Sequence, residues 1–223
     1  MIIDQIFKRK YSVVVVLLLL AAILLAVGLY KLYNPTMKPG IIENSTEQAD
    51  WIKYTNTDFN FTISFPKDWK IYEDLSDINA PKINIYKPEY KTKLPLDNFS
   101  TETNISIFPK GLATDAVMGK TQNVNFNLKE KTAKSFDYLL TNNSAWASLV
   151  TFTTPPKSWQ SWGFVWLNTQ IKDLTFKCRS GNNDVALDSC NTFEGDILER
   201  QGGIDKEVRN TQLKILNTFK FID

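Results

Sequence analysis

Apolar positions along the chain fall into three patterns. In the first, Phe59, Phe61, Ile63 and Phe65 alternate with Asn60, Thr62 and Ser64. Period two with one apolar face predicts a half-buried strand. Pro66-Lys67-Asp68 stops it, and Trp69-Lys70-Ile71-Tyr72 resumes extended structure across a hairpin-like turn. Further short strands are predicted at 82–86, 104–108, 135–140, 145–152, 159–168 and 170–177. The connections between the last four are brief: 141–144, then Pro155-Pro156-Lys157, then an Asn168-Thr169 turn. Such spacing predicts an antiparallel meander, because parallel strands need crossover helices for which there is no room.

The second pattern is helical. Ile204, Val208, Thr211 or Gln212, Ile215 and Phe219 recur at about 3.6 residues, predicting a helix over 205–218 with Asp205 as its cap. Gly202-Gly203 gives a flexible lead-in, and Phe219-Lys220-Phe221 leaves in extended form. A short helix is predicted at 112–120 from Ala113, Ala116 and Val117. Strands first, with a helix over one face, make an α+β layered domain.

The third pattern is unbroken. Residues 13–30 read VVVVLLLLAAILLAVGLY, with Tyr11, Tyr30 and Tyr33 placed like interfacial aromatics. At ~1.5 Å per residue the run spans about 27 Å, close to the hydrocarbon thickness of a bilayer. Lys8-Arg9-Lys10 precedes it, a bias that puts the N-terminus in the cytoplasm. The organisation expected is a cytoplasmic N-terminus at 1–12, a single transmembrane helix at 13–33, a linker at 34–50 and an extracytoplasmic domain at 51–223. Localisation is then the cell membrane, single-pass, with the membrane itself a partner through the N-terminal helix. A cleaved signal peptide is the rival reading, since Ala26-Val27-Gly28 offers a small-x-small site.

Composition narrows the chemistry. The chain has 223 residues, 26 Lys plus Arg, 24 Asp plus Glu, no His and two Cys. Without His there is no Ser-His-Asp or Cys-His nucleophile system and no His-based zinc site. Lys8, Arg9, Lys10 and Lys31 against Asp4 give residues 1–33 a net +3, so 34–223 carry −1 of the overall +2. Scattered lysines without a basic stripe argue against nucleic acid as a partner.

Two cysteines, Cys178 and Cys190, enclose a polar loop. In an exported chain a disulfide is the natural expectation, with two free thiols as the alternative. Asp184, Asp188, Glu194 and Asp196 offer hard oxygens in and after that loop, but their spacing fits no EF-hand template. A solvated turn is the simpler account, and no metal or cofactor is expected. Trp146, Trp159, Trp162 and Trp166 fall within twenty-one residues. On a strand Trp162, Phe164 and Trp166 share a face. Trp159, Trp162 and Trp166 are therefore candidate partner-binding aromatics, against the plain alternative that they fill the core. No carboxylate pair has a supporting nucleophile or motif, so no catalytic residue is assigned.

Tyr54, the segment FNFTISFPKDW from Phe59 to Trp69, and KILNTFKF from Lys214 to Phe221 resemble the two ends of PsbP-like domains found in small membrane-anchored bacterial proteins. The resemblance implies an antiparallel sheet flanked by helices and a role in binding or assembly rather than catalysis. The function expected is a membrane-tethered, extracytoplasmic, non-enzymatic binding or assembly domain with an envelope protein partner. A cell-wall or carbohydrate-binding module using the Trp row, and an envelope hydrolase, are the alternatives.

Overall fold

The computed structural model describes residues 23–25, 37–45, 50–90, 102–112, 119–124, 126, 128 and 133–222. Residues 1–37 and 38–223 are two separate compact units. In the first, Ile23, Leu24 and Leu25 are helical and exposed. The rest of the apolar run lies outside the described residues. A membrane span needs about 20 apolar helical residues. Among the described residues no helix is long and apolar enough to cross a membrane. The single-pass anchor, the membrane as partner and the cell-membrane localisation therefore fall as structural assignments.

The second unit is mostly β-structure, and this corrects the α+β, helix-flanked expectation. Three antiparallel sheets account for it. The four-stranded sheet has the order β1 (Ile41–Asn44), β2 (Trp51–Asn56), β3 (Phe61–Pro66) and β14 (Lys220–Phe221). The seven-stranded sheet runs β4 (Lys70–Asp74), β5 (Lys82–Tyr86), β6 (Asn104–Phe108), β10 (Phe164–Asn168), β9 (Ala145–Phe152), β8 (Ala133–Leu139) and β7 (Thr121–Val124). The three-stranded sheet is β12 (Asn183–Val185), β11 (Ile171–Ser180) and β13 (Ile197–Ile204). One long helix, α1 (Lys206–Asn217), stands among the described residues. The helix expected at 112–120 lies mostly outside them; Leu112, Gly119 and Lys120 are described and are not helical.

Register explains the core. Ile83, Ile107, Val165 and Val150 stand opposite one another across four strands, as do Ile85, Ile105 and Leu167 across three. All are fully buried. β-branched side chains pack well on a pleated face, so these rows make the sheet's apolar side. The next rows, on the other face, are Asn84, Ser106 and Trp166, and Asn104 with Asn168. They too are buried. There the Ser106 hydroxyl donates to Asn84 Oδ1 and Asn104 Oδ1, and Asn104 Nδ2 to Glu102 Oε2. Asn168 Nδ2 donates to the Glu102 carbonyl.

The C-terminal elements join two sheets. Phe219 stacks on Phe61 of β3 at 5.4 Å and on Phe152 of β9 at 5.2 Å. Trp159 closes this nest, 5.1 Å from Phe221, with its indole N–H donating to the Phe59 carbonyl. β14 completes the four-stranded sheet by pairing Phe221 with Phe61 and Lys220 with Thr62. Thr62 is thereby buried, although the alternation sets it on the strand's polar side, away from Phe61 and Ile63. The strand itself starts at Phe61 because Asn60 has φ 51, a left-handed turn conformation that ends the preceding loop.

Helix α1 is fixed by polar groups as much as by apolar ones. Asp205 caps it, accepting from the N–H groups of Glu207 and Val208. Gln212, fully buried, donates to the carbonyls of Asn104 and Asn168 and accepts from the Thr169 hydroxyl. Arg209 bonds Asp137 on β8 at 3.3 Å and Ser148 on β9, and Ser148 bonds Asp137. Burial pulls the Arg209 guanidinium down to about 10, with Asp137 opposing.

A buried ion pair is costly to break from one side, because the remaining charge is stranded. Asp137→Ala should lose about 3–5 kcal/mol in urea unfolding, and adding Arg209→Met should restore most of it. Recovery of nothing by the double substitution would show that the pair is not what holds α1 down.

At the N-terminal edge, both Glu73 carboxylate oxygens accept from Gly40 N–H, at 3.2 and 3.1 Å. A Cβ on Gly40 would meet the Tyr54 ring at 2.0 Å, so only glycine allows this approach. Burial raises the Glu73 carboxyl above its ordinary 4.5, while Gly40 and Tyr54 pull it back. A raised acid is protonated in both states below that ordinary value. As pH climbs, the unfolded chain loses its proton first, so stability falls until folded Glu73 also ionises. Glu73→Gln should flatten this fall in stability between pH 4.5 and the raised value, measured by urea midpoints across mildly acidic pH.

Candidate functional site: a cross-linked, acid-rimmed loop

The three-stranded sheet projects a loop tied by chemistry rather than by a core. Cys178 lies on β11 and is buried; Cys190 follows a single helical turn at Leu187–Ser189. The two are joined by a disulfide with Cα atoms 5.8 Å apart, within the range a bridge tolerates. β11 reaches this position past an irregularity between Lys172 and Thr175, where Asp173 takes φ 53.

Beyond the bridge the backbone turns twice. Glu194 N–H donates to the Asn191 carbonyl, and Gly195 then adopts φ 99, which a glycine supplies without strain. Asp196 returns to the loop: its Oδ2 accepts from Asn191 N–H at 2.9 Å. That bond, with one from Ser180, holds the Asp196 carboxyl below the usual carboxylate range. Asp196 also lies near the bridge, 3.9 Å from Cys178 Sγ. The two sulfurs are spent on each other, so this trio makes no thiolate ligand set. Arg179 spans Asp184 at 3.5 Å and Glu199 at 3.8 Å across the sheet.

The result is an ordered loop that shows apolar side chains to solvent. Phe193 is 93% exposed, Leu187 53% and Ile197 48%. By contrast Phe59, Phe61, Phe65, Phe108, Phe152 and Phe219 are all buried. Residues 179–196 hold one Arg against four carboxylates, Asp184, Asp188, Glu194 and Asp196, a net of −3. The loop offers apolar contact within a negative field.

The tryptophans part company. Trp159 and Trp166 are buried, at 4% and 3% exposure, and Trp146 is buried 6.3 Å from Trp166. Trp162 is 64% exposed. The predicted shared face fails because 159–163 is a turn, closed by Gly163 N–H on the Gln160 carbonyl, and β10 begins only at Phe164. Trp162 instead donates its indole N–H to the Lys110 carbonyl and lies over Gly111. Trp159, Trp162 and Trp166 therefore form no common platform. Arg200 sits over the Trp146 ring at 5.0 Å and over Phe176 at 5.6 Å, tying the three-stranded sheet inward.

Sequence reasoning found the bridge and overlooked Phe193. Its one signal was a large aromatic in a polar, acidic stretch, with Asn191 and Gly195 rather than apolar residues at strand spacing.

Two stability measurements separate the loop's scaffold from its surface. Cys190→Ser should cost roughly 3 kcal/mol, the chain-entropy value for a loop of this length. Phe193→Ser should change stability by no more than about 0.5 kcal/mol, as for other exposed substitutions. A large loss from Phe193→Ser would mean that the ring is packed rather than displayed.

No family model, no curated protein and no solved structure matches this chain.

Proposed function

We propose that residues 38–223 form a non-catalytic binding or assembly domain that recognises a protein partner through the cross-linked loop. The observation that carries this is Phe193: a large aromatic, 93% exposed, on a loop whose backbone is held by a disulfide and internal hydrogen bonds. Exposed aromatics on rigid loops are the usual anchors of protein recognition, because contact area comes at little ordering cost. The polar contacts of Ser106, Arg209 and Gln212 are engaged in holding α1 and the seven-stranded sheet together. The likeness of Tyr54, residues 59–69 and residues 214–221 to PsbP-like domains is in keeping with a binding role and remains part of the proposal.

A photo-crosslinking amino acid at Thr192, in the full chain in its native cells, should give one discrete adduct. That adduct should vanish when Leu187→Ser and Phe193→Ser are added, and should not form from the exposed control position Asp77. An identical adduct from Asp77, or none from Thr192, would overturn the assignment.

A further inference from the structure

The loop's charge identifies the partner's chemistry, and we infer that it docks a cationic, apolar segment of another protein. This rests on the binding role proposed above and adds what the partner must carry. Residues 34–223 have a net charge of −1, yet residues 179–196 alone hold −3. The remainder of that unit is therefore +2, and the negative charge gathers on a loop that exposes Leu187 and Phe193, with Ile197 just after it. Asp188 and Glu194 flank Phe193 in sequence, and both are exposed. Asp196 stays ionised because Asn191 N–H and Ser180 hold it.

Charge of this sign speeds the approach of a positive surface and repels a negative one. A second copy of this chain would set −3 against −3, so like charge opposes self-pairing through the loop. The complement is a stretch with aliphatic or aromatic side chains to cover Phe193, Leu187 and Ile197, flanked by Lys or Arg. Scattered exposed apolar residues are ordinary on any protein. Here three fall between positions 187 and 197, on both sides of the Cys190 anchor, in a backbone already fixed. A fixed loop loses little entropy on docking, so even a small contact can be selective.

The test uses the full chain, isotope-labelled, and two synthetic peptides: alternating Leu and Lys, and the same sequence with Glu for Lys. The Lys peptide should shift resonances of residues 184–197, and its affinity should drop several-fold when salt rises from about 50 to about 200 mM. Phe193→Ser should weaken it about tenfold. Asp188→Asn with Glu194→Gln should remove most of the salt dependence. Equal binding by the Glu peptide, shifts centred outside the loop, or no binding would overturn the inference. So would self-association lost in Phe193→Ser. A Thr192 adduct whose formation is undiminished when the Lys peptide is added before irradiation would keep the binding role and reject the cationic partner.

Discussion

The ring of Phe219 is the joint on which the second unit turns. It is fully buried between Phe61 of one sheet and Phe152 of another, and Trp159 and Phe221 close around it. Two sheets with unlike strand orders share one aromatic nest there. Aromatic pairs at these separations add about 0.5–1.5 kcal/mol each beyond area burial. The nest also fixes where α1 must end. Thr218, which caps its C-terminus, donates to the Ser64 and Ile215 carbonyls and accepts from Ser64 N–H.

Polar contacts then set the angle of approach. Apolar faces can slide, but Gln212 fits one place: two strand-end carbonyls for its amide N–H groups and Thr169 for its oxygen. Arg209 fixes the other end against β8 and β9. Replacing such groups by apolar ones of equal volume is often tolerated thermodynamically, so their effect here is on geometry. With α1 held, β13 immediately before it is held too, and the cross-linked loop projects from a positioned sheet.

Local periodicity was legible where one element decided its own pattern. Strands at Lys82–Tyr86, Asn104–Phe108 and Ala145–Phe152 follow from alternation, and α1 from its spacing and the Asp205 cap. What alternation could not reveal is which sheet a strand joins. β3 and β4 read as a hairpin, yet they belong to different sheets. β10 and β11 part in the same way after the Asn168-Thr169 turn. Ile41–Asn44 looked like linker because Pro35, Pro39 and Gly40 precede it; pairing with β2 makes it a strand. Ile197–Ile204 was hidden by two glycines and is specified by its partner β11. At the site, the bridge was legible from cysteine count and the Trp row was not. Gly163 interrupts the strand that would have aligned it: a Cβ there would meet the Pro109 carbonyl oxygen at 2.5 Å.

The pairing of β14 with β3 brings Phe221 beside Phe61, some 160 residues away along the chain. During synthesis β3 thus waits for β14 until the residues between the two strands have been made. Until then Phe61 and Phe152 lack the ring that separates them, and the open edge of β3 is a surface for wrong pairings. Closing so long a loop makes folding slow relative to a protein of local contacts. Shielding that edge during synthesis would therefore favour the native pairing over wrong ones.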